Sequence, residues 1–393
     1  MSERKIINPD LQLIHDLKAN GGEDVKKCFQ CSTCTSVCQL STEENGFPRR
    51  QMLMAQWGLK DQLMEDPGPW LCFYCGDCSK KCPRNVNPGE TMMALRRYLT
   101  SLYDWTGLSR LLYKSVYWEI GILAIVAAAV ALMFTVPNNF GFGLLNHSGS
   151  APLSTVMLER FAPVGIADVG DRILAVLLGV LLLSNAARMF AGLTRGEKIP
   201  FHLYITQIPN FIIQGVTQKR WKECNNNETL KNWLRHLFLV SGYAIMFTLV
   251  VVFLPWFQIK DSTIHWTSFL GYYATAVLLI STVWIIIDRI KKGTGMHQFS
   301  HFSDWLFPIM LFLAALTGIL LHMFRVTNMP METYVMYMIH MMIVVPMLFV
   351  EVPFGKWSHL LYRPLAIYVA AVKSKANEVE KKNINVTQVA ASI

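Results

Sequence analysis

The sequence predicts an all-α chain in two parts, a small helical cysteine-rich head followed by six membrane-spanning helices. Three observations predict it. Eight of the nine cysteines fall into two copies of one spacing, C-x2-C-x2-C-x3-C, within the first 82 residues. Beyond residue 105 come six apolar runs, each near the ~20 residues that cross a bilayer as a helix. The head itself lacks the alternating valines and isoleucines of half-buried strands. A composition of 52% hydrophobic and only 16% charged residues is too apolar for a soluble chain of 393 residues, and fits a membrane protein with a soluble head.

The first cysteine run is Cys28, Cys31, Cys34 and Cys38; the second is Cys72, Cys75, Cys78 and Cys82, followed by Pro83. This spacing holds cubane iron–sulfur clusters. Three thiolates within seven residues let the backbone curl around three corners of a small cube. In two-cluster ferredoxins the fourth ligand comes from the other run. One 4Fe-4S cluster is therefore assigned to Cys28, Cys31, Cys34 and Cys82, and a second to Cys72, Cys75, Cys78 and Cys38. Structural zinc also takes four cysteines, but from separated C-x2-C pairs, and neither run looks like a lone pair. Disulfides are disfavoured in the reducing compartment that the topology below gives the head. Cys224, alone in a polar loop, reads as a free thiol.

The remaining elements follow in chain order. The first 27 residues are polar and charged with no apolar h-region, so the amino terminus is expected to stay in the cytoplasm. Between the runs, Pro48 to Asp66 places Met52, Leu53, Trp57, Leu59 and Leu63 at roughly helical spacing, and a second helix is expected after Pro88. The head is assigned to residues 1–105 and the membrane domain to 106–362. Its spans are expected at Val116 to Val136, Ile173 to Leu193, Leu237 to Phe257, Trp266 to Ile287, Trp305 to Met323, and Tyr334 to Phe354. Lys and Arg set the orientation: loop 194–235 holds seven, loop 288–304 three and the tail from 355 six, against four in the opposite loops. The positive-inside rule then places the head and both termini in the cytoplasm, at a multi-pass inner membrane. The net charge of +9 is spent in these short loops and forms no continuous patch, so it does not point to nucleic acid. Half-apolar Pro200 to Lys222, ending Lys219, Arg220, Trp221 and Lys222, suits either the inner membrane surface or a docking partner. The tail, 363–393, is expected to be partly disordered after about Lys373.

Depth sorts the ten histidines. His236 opens the third span and His359 lies just past the sixth, both at the inner face; His322 closes the fifth and His340 lies near the outer end of the sixth. His340 and His359, on one expected helix, stand about 28 Å apart at 1.5 Å per residue. A haem b with two axial imidazoles takes one from each of two helices at matched depth. That pairs His236 with His359 and His322 with His340, against the alternative of neutral histidines hydrogen-bonded between helices. Arg235 and Arg325 are placed to meet haem propionates or to anchor the interface. His15, His147, His202, His265, His297 and His301 fall in the head or in loops. Of these, His297 and His301 are candidates, with Glu351 of the sixth span, for passing protons to a quinone. Glu119, in the first span, is the other unusual charge in lipid.

At these residues the chain resembles two families. Residues 1 to about 100 resemble the C subunit of heterodisulfide reductase, although Gln39 stands where a Pro often follows the first run. The membrane half is similar to the gamma-type cytochrome b of nitrate reductase, most clearly in MIHMMIVVPMLFVEVPFGKWSH, which carries His340 and His359. That family takes a further ligand pair from one helix ten residues apart. Here Met246 stands ten residues after His236, so the fourth ligand is expected from LTGILLH, ending at His322. With both modules on one chain, the sequence resembles the membrane subunits of quinone-interacting membrane-bound oxidoreductases. The resemblance implies a helical two-cluster ferredoxin domain joined to a six-helix transmembrane cytochrome b domain. It further implies menaquinone or menaquinol as membrane substrate, two soluble flavin and iron–sulfur partner subunits, and adenylylsulfate reductase as acceptor in sulfate respiration. No G-x-G-x-x-G follows an expected strand and no Cys-Cys-Gly motif occurs, so substrate chemistry is expected on other chains. The alternatives are the membrane arm of a heterodisulfide reductase or sulfite-pathway complex, and, in another class, a membrane-anchored zinc or redox sensor.

Overall fold

A computed structural model describes residues 8–43, 45–136, 143, 153–220, 227–258, 262–292, 297 and 299–391, with side chains omitted at 227–229 and 383–391. Cys224, His147, Trp221 and Lys222 lie outside the described residues. Every regular element among those described is helical.

In the head, Leu11–Ala19 opens on Asp10, whose carboxylate accepts from the Gln12 N–H at 2.9 Å. The stretch expected as one helix from Pro48 is two, Arg49–Gln56 and Lys60–Glu65. They part at Gly58, which has φ +68° and whose carbonyl accepts from Asp10 N. A Cβ there would stand 2.5 Å from the Asp10 carbonyl oxygen, so the close approach itself forces the break. Pro88–Tyr103 begins with its proline in the first turn and buries Met92, Leu95, Leu99 and Tyr103 along one face.

The head's core is not confined to the head. Leu13, Leu17, Met52, Leu63, Leu95 and Leu99 share one cluster with Met189 and Leu193 of the second span and Tyr362, Ala366 and Val369 of the carboxy-terminal helix. Trp70, Tyr103 and Tyr362 meet there with ring centroids 5.5 to 6.5 Å apart. Each such large side chain contributes roughly 1.5–3 kcal/mol by leaving water.

Six helices are long and apolar enough to cross a membrane: Val116–Thr135, Val164–Leu193, Leu230–Val251, Thr267–Lys291, Phe302–Val326 and Pro330–Phe354. The third to sixth pack in series, and the sixth returns to the first. Outward-facing Ile125, Leu132, Val176, Val180 and Ile280 are exposed, as a lipid-facing surface requires. The second span starts at Val164 instead of Ile173, because the charged turn that hid its start is helical, with Asp168 and Arg172 paired one turn apart.

One expectation at the carboxy-terminal end is corrected. His340 and His359 do not share one helix: the sixth span passes through a π turn, Met347–Glu351, and stops at Gly355 before a new helix begins at His359. The backbone of that helix runs on to Ala391. Its residues 362, 366, 369 and 372 recur at helical spacing and are fully buried, which holds its first half against the head. Of the half-apolar segment, Phe201–Thr206 and Ile208–Thr217 form two short helices on this same helix, with the Tyr368 hydroxyl donating to the Tyr204 carbonyl at 2.7 Å. Phe201, Ile205, Ile212 and Val216 remain exposed.

Candidate redox site at the junction of head and membrane unit

The two cysteine runs are backbone copies of each other. Gln30 and Tyr74, two residues after the first cysteine of each run, have φ 58° and 57°; Ser32 and Gly76 have φ 70° and 85° and begin the short helices Thr33–Ser36 and Asp77–Lys80. A left-handed residue other than glycine costs about 1–2 kcal/mol, and both runs keep one at the same place. What it achieves is an amide turned inward: Gln30 N–H donates to Cys28 Sγ at 3.4 Å and Tyr74 N–H to Cys72 Sγ at 3.3 Å. Hydrogen bonds to cluster sulfurs tune reduction potential. Cys82 lines the same small cavity as Cys28, Cys31 and Cys34. Burial, and then the nearby Cys72, Cys75 and Cys38, push the Cys78 thiol up to about 12. Each run therefore has the last cysteine of the other beside it. The first run faces outward, with Phe29 exposed under Arg84. The second has Cys72 buried against the membrane unit.

Behind Cys72 opens a cavity of about 350 Å³. The Cys72–Tyr74 loop forms one wall; His236 and His359 form the other. Gln218 Oε1 accepts from His236 Nδ1 at 2.6 Å, and the Lys356 carbonyl accepts from His359 Nδ1 at 2.5 Å. Both acceptors fix the ring tautomer with hydrogen on Nδ1. Burial lowers His359 to about 3 and keeps the imidazole neutral. Arg363, one turn beyond His359, donates to the Cys72 carbonyl at 3.4 Å, and Arg96 donates to the same oxygen at 2.6 Å. The expected propionate partner Arg235 also lines the cavity, where it pairs with Asp288 at 3.2 Å and lies over the Trp284 ring.

An ion network ties this wall to the spans. Arg97 reaches Glu90 at 2.9 Å and Asp304 at 2.8 Å, and Asp304 also pairs with Lys356. Burial alone would lower the Arg97 pKa, but Asp304 and Glu90 raise it above the ordinary range. Lys356 is lowered to about 8, because burial outweighs Asp304. The Tyr74 hydroxyl donates to Glu90 at 2.6 Å. His297 lines the cavity, whereas His301 caps the fifth span by accepting from Ser303 N–H; burial lowers both to about 4. Glu351 lies outside the cavity wall, beside Glu119.

The second histidine pair sits elsewhere. The Thr317 hydroxyl donates to the Leu313 carbonyl and so accepts from His340 Nδ1 at 2.8 Å, which gives His340 the same tautomer as the first pair. Its ring packs on Gly318, one turn from His322. His322 itself bonds through Nε2 to the Tyr272 hydroxyl of the fourth span at 2.6 Å, with Arg325 donating to Nδ1 at 3.3 Å. The structure thus brings His236 and His359 to one cavity, and gives both ring nitrogens of His322 protein partners. Gln218, Arg96, Arg97, Asp304 and Lys356 escaped the sequence reading. Asp304 and Lys356 had a signal, being charges at the ends of apolar spans.

Fold and cysteine geometry together define a class: an iron–sulfur dicluster head on a multi-pass helical membrane unit. Residues 24–86 match the 4Fe-4S dicluster domain family. The head is similar to a protein of Archaeoglobus profundus that is itself like the C subunit of heterodisulfide reductase, 34% identical over 104 residues, which is 26% of this chain and 55% of that one. It is also similar to the C subunit of the H(2):CoB-CoM heterodisulfide,ferredoxin reductase of Methanothermobacter thermautotrophicus, 38% identical over 79 residues, 20% of this chain and 43% of the relative. The C subunit of the ferredoxin:CoB-CoM heterodisulfide reductase of Methanosarcina mazei is 33% identical over 86 residues, 22% of this chain and 52% of its own. The chain spans about half the length of these curated relatives. No solved structure matches it significantly.

Proposed function

We propose that this chain is the membrane electron-transfer subunit of a quinone-linked oxidoreductase complex. In this reading it exchanges electrons with menaquinone or menaquinol through two haems b and passes them through two 4Fe-4S clusters to soluble flavin and iron–sulfur subunits. The acceptor beyond them is adenylylsulfate reductase in sulfate respiration. The clusters take Cys28, Cys31, Cys34 and Cys82, and Cys72, Cys75, Cys78 and Cys38; the haem ligands are His236 with His359 and His322 with His340, the last pair requiring His322 Nε2 to leave the Tyr272 hydroxyl. By the distribution of Lys and Arg the head lies in the cytoplasm.

One observation carries the reading: His236 and His359, each donating from Nδ1, face across a single cavity the loop that holds Cys72. The residues fit haem, since two imidazoles of the ligating tautomer stand among arginines suited to carboxylates. Bound there, haem supplies reversible one-electron exchange that side chains lack. The chain's own residues hold the imidazoles, tie the cluster loop to the same wall through Arg96 and Arg363, and place His297 where it can exchange protons.

The test is an optical and paramagnetic-resonance redox titration of the anaerobically purified chain. Roughly eight cluster irons plus b-type haem is the expected result. Two zincs and no haem would overturn it. A second reading, the membrane arm of a heterodisulfide reductase complex, is favoured by the names of the head's relatives. The partner that copurifies with the chain separates the two.

A further inference from the structure

Glu119, in the first turn of the first span, is 1% exposed, and Glu351, ending the π turn of the sixth, is 0% exposed. The first span packs on the π turn that ends at Glu351, which brings the two carboxyl groups together. Among the described residues none of their four oxygens accepts a well-formed hydrogen bond from a protein donor. The approach is tight: a Cβ on residue 355 would fall 2.1 Å from Glu351 Oε2, so glycine is required there. The other groups facing the pair are the Tyr113 ring of Leu108–Lys114, the Lys356 main chain and, at longer range, Asp304 and Arg97.

Two ionised carboxylates buried in the membrane unit, with only the Lys356 main-chain N–H as a nearby donor and each repelling the other, are strongly unfavourable. A single proton resolves both problems, because a carboxylic O–H donates to the neighbouring carboxylate. We propose that Glu119 and Glu351 form a proton-binding site that holds one proton between them and exchanges it with the head-side cavity through Tyr113. Tyr113 lines that cavity, its helix packs on both the first span and the end of the sixth, and a phenol hydroxyl both accepts and donates. The site requires neither haem nor quinone, so its test is independent of the reading above.

The experiment is infrared difference spectroscopy of the detergent-purified full-length protein with H/D exchange. At pH 7 the wild type is expected to show the C=O stretch of a protonated carboxylic acid, shifted in deuterated buffer. Glu119→Gln and Glu351→Gln should each remove it while keeping helical content, since the amide donates to the remaining carboxylate and lets it ionise. Tyr113→Phe should keep the band and slow its exchange by at least about tenfold. Absence of the band in the wild type, its persistence at the same frequency in either glutamine variant, its removal by sodium, or unslowed exchange in Tyr113→Phe would overturn the proposal. The wild-type and Tyr113→Phe measurements decide the matter even if a glutamine variant does not fold.

Discussion

Arg97 of the head donates to Asp304 at the head-side start of the fifth span at 2.8 Å, across 207 residues of sequence. Both side chains are buried, and each has a second partner, Glu90 for Arg97 and Lys356 for Asp304. The contact joins the cysteine-bearing module to the membrane helices at the rim of the cavity.

Removing one member of a buried pair leaves the other charge without compensation, at about 3–5 kcal/mol. Asp304→Asn should therefore lower the thermal midpoint of the purified protein markedly. An unchanged midpoint would show that the network does not hold the two parts together.

Acid should weaken the same joint. Burial lowers His297 and His301 to about 4, below the ordinary value of about 6.5, so the unfolded chain binds more protons between those limits. Their contribution is present above pH 6.5 and is lost as pH falls towards 4. His301→Asn keeps an N-cap acceptor for Ser303 and removes one titrating group, so thermal midpoints measured from pH 7 to 5 should fall less steeply than in the wild type.

The crossed cysteine assignment predicts crossed defects. Cys82→Ala should perturb the paramagnetic signal of the cluster on Cys28, Cys31 and Cys34, and Cys38→Ala that of the cluster on Cys72, Cys75 and Cys78. Each should lower bound iron from roughly eight to about four. Defects confined to the mutated run would reverse the assignment.

The histidine pairs can be separated by optical spectra. His236→Ala and His359→Ala should lose the same haem, and Gln218→Leu should weaken its binding by roughly 10–100-fold through loss of the Nδ1 acceptor. His322→Ala is expected to lose the other haem with the cluster signals unchanged. Retention of both haems in that variant would leave His322 as the partner of Tyr272 and Arg325 and no ligand.

The sequence made two things legible because each rests on local pattern. Each cysteine run declares itself within eleven residues of backbone, and six runs of apolar residues need only length. Span ends were less legible: Val164 to Arg172 hides behind paired charges that a hydropathy reading counts as loop. Gly58 broke an apparently continuous helix through a contact with Asp10, 48 positions away, that no window of sequence contains. The same blindness covers the pairing of Arg97 with Asp304 and of His236 with Gln218, where the partner becomes visible only once the fold brings the two together. Tyr362 to Val372 shows the converse, since its apolar residues at helical spacing pack against a head that lies far earlier in the chain.

Because Met189, Leu193, Tyr362, Ala366 and Val369 complete the hydrophobic interior around Leu95 and Leu99, the cysteine-bearing lobe is sealed only after the last helix has been synthesised. An expression fragment ending at residue 105 would display an unroofed greasy floor and self-associate.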